Sequence, residues 1–340
     1  MKSLGHPWLR WRGIPLLVLL ATLALTLAFW QQERSEQAAT QRRAFDAALR
    51  DSSQRIEQRM AANEHLLQGV QGFLTAYPGA DAQALRRYVD ALPLGADFAG
   101  LQGLAVARRV AHADRAGWTI RPDGERSHYA PIVQIEPAVL RNSSALGRDL
   151  LAHGPAQQAL AQATDSGRMA LSVKLDLSQL GLGRQQGFLM VMPVYRDGEP
   201  QDSVQGRREA LQAWVLAPVV VPELVASLYG ELPAGLNLML YDGQQIEEAG
   251  LLYRSGPAPQ PALRQAREFL VMGGHVWTLE LQGGPAFAAR HGAAQLVLWA
   301  GALLSLLLAL LARLLGTARE RAQSLAERMT QALRESEQRW

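Results

Sequence analysis

The residue types that support catalysis occur in this chain, but not at catalytic spacing. Its seven histidines are His6, His65, His112, His128, His153, His275 and His291. A zinc hydrolase needs two of them one helical turn apart with a glutamate between. No pair approaches that spacing, so neither a metal nor any other cofactor is expected. The run Gly181-Leu182-Gly183-Arg184-Gln185-Gln186-Gly187 imitates a nucleotide loop. Its third glycine falls one place late, however, and it leads into a strand instead of opening a helix, so it reads as a turn. Ser166, in Asp165-Ser166-Gly167, lacks the flanking glycine of a nucleophile elbow, and no kinase or cyclase motif occurs. What remains is binding. Glu136, Asn142, Arg148 and Asp149 lie close together in sequence and bring carboxylate, amide and guanidinium groups that can orient a small molecule among apolar walls. Plainer roles stand beside this one: Asn142 as a helix cap, and Asp149 as the partner of a nearby cation.

The elements that must hold these groups start at a membrane. Ile14 to Trp30 carries no charge, and at about 1.5 Å per residue it reaches roughly 25 Å, near the thickness of a hydrocarbon core. A second uncharged run extends from Ala293 to Ala312 and ends on Arg313. The first run is longer than a signal-peptide core and leaves through Phe29, Trp30, Gln31 and Gln32 without small cleavage residues, so it reads as a retained anchor. Lys2, Arg10 and Arg12 precede the first span, and Arg313, Arg319, Arg321 and Arg328 follow the second. Positive charge at both outer flanks puts both ends in the cytoplasm and the intervening residues in the periplasm of a bacterial inner membrane. The chain has no cysteine, so the periplasmic part folds on its apolar core alone. Its net charge of +3 is concentrated at the membrane flanks and implies no nucleic-acid surface.

Between Trp30 and Pro78 nothing stops a helix. Phe45, Leu49, Ile56, Met60, Leu67, Val70 and Leu74 recur at three- and four-residue steps, the pattern of an amphipathic helix that lies on a domain, pairs with a second copy, or does both. Beyond Asp81 the pattern is mixed. Asp81 to Leu92 reads as a helix, Gly100–Val110, Ser127–Pro137 and Met169–Leu177 read as strands, and Gln185–Pro200 reads as a strand running into a turn, giving an antiparallel sheet with helices on one face. A second unit is expected from near Arg207, with a strand through Trp214, a helix from Pro222, a strand ending at Asp242-Gly243 and a hairpin at Gly273-Gly274. The fold class is therefore α+β with two transmembrane helices: a long stalk helix followed by two tandem antiparallel α/β subdomains. Expected boundaries are a cytoplasmic 1–13, spans at 14–30 and 293–312, a stalk at 31–77, subdomains at 78–205 and 206–290, and a signalling helix at 313–340. In that last segment Leu315, Ala318, Ala322, Leu325, Met329 and Ala332 form a heptad seam through which two chains can pair.

The strings AGLQGLAVARRV, HYAPIVQIEPAVLRNSSALGRDL, ALAQATDSGRMALSVKLDL and GFLMVMPVYRDG, in this order between two spans, resemble the CHASE sensory domain over roughly Gln54 to Val221. The most specific parts are the block from Pro131 to Asp149 and the strand end Pro193-Val194-Tyr195. The resemblance implies that both subdomains are PAS-like and that the membrane-distal one holds a small ligand. It also implies an output in a histidine kinase or a nucleotide cyclase such as a diguanylate cyclase. Glu136, Asn142, Arg148 and Asp149 fall in the family block, and Lys174 and Gln186 come from strands expected to face it. The chain departs from the plant cytokinin receptors of the family, since their ligand-contacting aspartate aligns with Pro137 or Glu136 and their threonine falls near Gly183. Bacterial members are the closer comparison. The expected protein is an extracytoplasmic sensor and homodimer with a small-molecule ligand. The alternative is a membrane-anchored periplasmic interaction or adhesion module.

Overall fold

Helix α1 runs unbroken over Ile14–Ala76, 63 residues, because no proline falls between Pro15 and Pro78 and few residues of low helix propensity intervene. The computed structural model describes residues 14–92, 100–138, 142–182, 185–228, 232–258, 261–289 and 294–337. The basic flank of Lys2, Arg10 and Arg12, and Gly183, lie outside them. Phe45–Phe287 form one compact unit, and the segments up to Ala44 and from Ala288 form another.

Within the first of these, the stripe on α1 is used inside the protomer. Phe45, Leu49, Ile56, Met60, Leu67 and Val70 are all buried, which removes them from any contact with a second copy. After α2 (Ala82–Ala91) come β1 (Leu104–Arg108), the short pair β2 (Val110–Ala111) and β3 (His128–Tyr129), and β4 (Ile132–Glu136). Helix α3 (Gly154–Ser166), β5 (Ala170–Leu171), β6 (Leu175–Asp176), β7 (Gln186–Tyr195), α4 (Val204–Ala210) and β8 (Leu211–Val220) follow. They build one antiparallel sheet in the order β4-β1-β8-β7-β5, with β6 also on β7. One face packs on α3: Ala105, Ala107, Leu189, Val191, Trp214 and Leu216 meet Ala156, Ala159, Leu160 and Ala163. The alternate residues Val106, Met190, Met192, Val215 and Val219 are buried too. On their side lie α1, whose Gln71 side chain donates to the Pro193 carbonyl, and α5 (Val221–Leu228), whose Leu224 packs against Gly100. Helices thus cover both faces rather than the one expected, which is why β7 and β8 read as continuous apolar runs.

Two strand assignments differ from expectation. Strand β8 pairs with β1 and β7 at the centre of this sheet instead of opening the second unit near Arg207. Met169 to Leu177 is not one strand: Lys174 N–H leaves the ladder to donate to Asp242 Oδ2 at 2.6 Å, splitting it into β5 and β6. The second sheet consists of β9 (Leu236–Asp242), β10 (Leu251–Arg254), β11 (Arg264–Met272) and β12 (His275–Gly283), antiparallel in the order β10-β9-β12-β11. The hairpin at Gly273-Gly274 joins β11 to β12 as expected. Across the join, Phe188 meets Trp277 edge to face at 4.8 Å, the Leu171 amide donates to the Gly273 carbonyl at 3.2 Å, and Asp242 pairs with His275.

In the other unit, α6 (Ala294–Glu337, 44 residues) carries the second apolar run and continues into the charged segment. Both α1 and α6 contain stretches long and apolar enough to cross a membrane. The two touch where Gly301 lies against the Thr26 side chain so closely that a Cβ there would collide with it. Ser305 and Thr22 each return their hydroxyls to a carbonyl four residues back, so neither presents an unpaired donor to hydrocarbon.

Candidate ligand-binding cleft

A cleft of about 880 Å³ opens beside α3 in the larger sheet's subdomain. The wall formed by α3 is fixed at both ends. Pro155 occupies the first turn, where its missing N–H costs nothing, and Gly167 closes the helix at φ +70°. Near that end Tyr195 Oη donates to the Thr164 carbonyl at 2.7 Å, and Trp214 Nε1 donates to Thr164 Oγ1 at 3.0 Å. Burial pushes the Tyr195 hydroxyl up to about 12, so it stays a donor. The opposite wall is the loop between β2 and β3. Buried Tyr129 pins it: its hydroxyl donates to the Gly124 carbonyl at 2.9 Å and accepts from the Arg126 amide at 3.2 Å. Arg126, Ser127 and His128 are thereby presented to the cleft.

Its floor holds Leu211 and Trp214, with Leu151 and Ala161 at the sides. Its charges are Arg109, Arg126, Arg208 and Asp165. Arg126 Nη1 lies 3.2 Å from Asp149 Oδ2. Arg208 binds both Asp165 oxygens, each at 2.7 Å, and that hydrogen bonding holds the Asp165 carboxyl below its usual range. Arg207, outside the cleft, is taken up by the carbonyl oxygens of Asp165 and Gln201. Arg109 donates to the Arg208 carbonyl at 3.0 Å and to His128 Nε2 at 3.1 Å. A guanidinium can only donate, so that contact fixes Nε2 as acceptor and leaves the His128 proton on Nδ1. Burial, then the Arg109 charge, lowers the His128 pKa. His153 is lowered as well, first by burial and then by Arg148.

None of Glu136, Asn142, Arg148, Asp149, Lys174 and Gln186 lines this cleft. Asp149 stands directly behind it, fully buried, accepting from the Ala130 amide at 2.8 Å and the Leu151 amide at 3.1 Å as well as from Arg126. Arg148 neighbours it in the chain, and its buried Nε has no partner among the described residues. Glu136 and Asn142 lie at the far end of β4. Glu136 meets Arg86 of α2 at 3.2 Å, and Asn142 Nδ2 donates to the Gln102 carbonyl at 3.2 Å without capping a regular helix. Lys174 bridges to the second sheet, its ammonium on the Ala249 carbonyl at 3.0 Å. Gln186 is exposed at the start of β7, opposite Asp176. The structure therefore brings Arg148 and Asp149 near the cleft and leaves the other four apart.

Residues 79–253 match the CHASE domain family. The chain belongs to that family. CHASE domains are extracellular ligand-sensing modules, and this chain is a sensory receptor of that kind. Among curated proteins none matches it. Two solved structures are similar in outline. One is the ligand-binding domain of the Pseudomonas aeruginosa PAO1 amino acid chemoreceptor PctB in complex with L-Arg, 11% identical with a TM-score of 0.40, the match covering 68% of this chain and 90% of that one. The other is the periplasmic sensory domain of the Campylobacter jejuni chemoreceptor Tlp1, 10% identical with a TM-score of 0.41, covering 73% of this chain and 94% of that one.

The CHASE block contains the cleft residues that spacing alone passed over. Arg109 follows Ala105 and Ala107, both in the core against α3, and strand alternation carries it to the same face. His128 and Tyr129 begin the string that runs on to Pro131. Arg208 gave no such signal, because it depends on how α4 sets Arg207 and Arg208.

Proposed function

We propose that this chain is the sensing portion of a bacterial inner-membrane receptor. The CHASE domain sits in the periplasm between the apolar runs of α1 and α6, takes a small molecule into the cleft beside α3, and passes occupancy through the membrane helices to a cytoplasmic histidine kinase or diguanylate cyclase. The observation that carries this reading is the cleft. Its volume of about 880 Å³ lies in the range of small-molecule sites, and a few polar groups converge on an apolar floor within it. In this reading Asp149 and Arg148 support the wall, Glu136 and Asn142 brace the edge of β4, Lys174 ties the membrane-distal subdomain to its neighbour, and Gln186 lies at the β6–β7 pairing away from the cleft. The protein acts as a homodimer: Leu315, Leu325 and Met329 are exposed on α6 and form a seam for a second copy.

The test is a thermal-shift screen of the full chain in nanodiscs. Ligands should raise the melting temperature of the native chain and of Ala161→Ser, and should have no effect on Ala161→Trp, which fills the cleft from its rim. Ligands whose effect survived Ala161→Trp would place the site elsewhere. A second reading, a periplasmic interaction or adhesion module, draws support from Phe269 and Val271, exposed by 58% and 70% on the edge strand β11. It requires that Phe269→Ser with Val271→Ser abolish a protein complex while leaving ligand-induced stabilisation intact.

A further inference from the structure

If the cleft is the sensor's ligand site, as proposed above, its charges also define the ligand. Two of its three guanidinium groups are already neutralised. Arg126 pairs with buried Asp149 at 3.2 Å, and Arg208 pairs with both oxygens of Asp165. Arg109 is different. Its contacts are the Arg208 carbonyl and a histidine nitrogen, neither of which carries negative charge, and it has no carboxylate within ion-pair distance among the described residues. Arg196, close enough to be felt as a like charge, adds repulsion that an anion would relieve. A guanidinium has five N–H donors in a planar fork, so the contacts to Arg208 and His128 leave room for a carboxylate to bind through two oxygens.

We propose that the cleft takes a small monocarboxylate with an uncharged body, its carboxylate on Arg109 and its body against Leu151, Ala161 and Leu211. Three features narrow the class to this. The cleft has one uncompensated positive charge, which a monoanion balances and a phosphate dianion overshoots. The carboxylate that lines it, Asp165, has both oxygens on Arg208, so the ammonium of an amino acid would enter without a partner and lose its hydration uncompensated. Beside its polar lining the cleft carries an apolar strip of Leu151, Ala161, Leu211 and Trp214, on which a hydrocarbon or aromatic body can lie.

The experiment uses the full chain in nanodiscs at constant ionic strength and measures binding calorimetrically. The probes are propionate, benzoate and 3-phenylpropionate, with alanine, phenylalanine and inorganic phosphate beside them. At least one of the three carboxylates should bind at least tenfold more tightly than its amino-acid counterpart and than phosphate. Arg109→Gln should weaken that binding by tenfold or more, with its melting temperature close to that of the native chain. Arg109→Lys, which keeps the charge and loses the fork, should fall between. Carboxylate binding unaffected by Arg109→Gln would overturn the proposal, as would preference for alanine, phenylalanine or phosphate. If none of the six probes bound, while a neutral or cationic compound from the broader screen bound and was blocked by Ala161→Trp, the anion class would be wrong and the sensor reading would stand. If no compound of any class bound, both would fall.

Discussion

Asp149 offers the sharpest separation between a scaffold role and a ligand-contact role. Its Oδ1 accepts two backbone amides, Ala130 at 2.8 Å and Leu151 at 3.1 Å, and its Oδ2 faces Arg126. The carboxylate is fully buried, whereas the Arg126 side chain is 33% exposed and can return to water. Asp149→Ala removes the acceptor of both amides. At about 2 kcal/mol for each hydrogen bond to a charged group, the loss is roughly 4 kcal/mol. The exposed side of the ion pair adds no more than about 1 kcal/mol. Asp149→Asn keeps an oxygen for the amides, but both bonds become neutral ones, about 1 kcal/mol weaker each, and the ion pair's contribution of about 1 kcal/mol is lost, so its cost is about 3 kcal/mol. In a domain of this size each kcal/mol moves the melting temperature by about 2–4 °C, so the alanine variant, at about 5 kcal/mol, should melt roughly 10–20 °C lower and the asparagine variant about 6–12 °C lower. Differential scanning fluorimetry of the full chain measures both. Equal losses would show that the charge, not the acceptor geometry, matters, and an alanine variant within about 1 kcal/mol of the native chain would refute the scaffold role.

Acid should weaken the domain in a defined window. His128 and His153 both titrate below their ordinary 6.5 when folded, so the unfolded chain binds more protons as the pH drops through 6.5. Stability therefore declines below that pH and levels off once the folded pKa values are passed. Melting temperatures between pH 8 and pH 5 should show this slope, flattened in His128→Asn with His153→Asn, and an unchanged slope in the double variant would assign it to other groups. Alkaline phosphatase fused after Asp197 should be active and after Ser324 inactive; the reverse pattern would overturn the periplasmic placement. Inserting one to three residues after Thr317 rotates everything downstream by about 100° per residue and should disrupt ligand-regulated output without changing ligand affinity. Normal regulation through all three insertions would make α6 beyond the membrane a passive tether.

The long helix was legible because two independent signals agree: no breaker falls within Pro15–Pro78, and the stripe from Phe45 to Val70 repeats at helical steps. The strands of the larger sheet were legible from alternation and from the family strings, and Tyr195, flagged there as part of a strand end, proves to anchor α3. Strand order was not. Buried on both faces, β8 is apolar from Ala213 to Val220 and carries no alternation there to say which sheet it joins. The break between β5 and β6 depends on Asp242, 68 residues from Lys174, a distance over which local pattern is silent. The same limit hid the cleft. Glu136, Asn142, Arg148 and Asp149 lie together in the family block and Lys174 and Gln186 on strands expected to face it, but Glu136 finds Arg86 and Lys174 finds Ala249, while the groups that converge beside α3 come from the β1–β2 junction, the β2–β3 loop, α3 and α4. Among them Arg109 had a clue in its parity with Ala105 and Ala107, and His128 one in the family string that it begins, while Arg208 had none.

In the proposed mechanism, occupancy of the cleft changes how the membrane helices pack. The chain has no cysteine, so Ala24→Cys with Ala302→Cys places a single pair beside the α1–α6 contact, where both residues line one groove. The most direct measurement is the rate of disulfide formation between them in membranes, with and without a compound that stabilises the native chain in the thermal screen. The rate should change by severalfold on ligand addition and stay constant when Ala161→Trp blocks the cleft. A ligand that binds tightly in the cleft yet leaves that rate unchanged, at this pair and at pairs one turn to either side, would contradict the account.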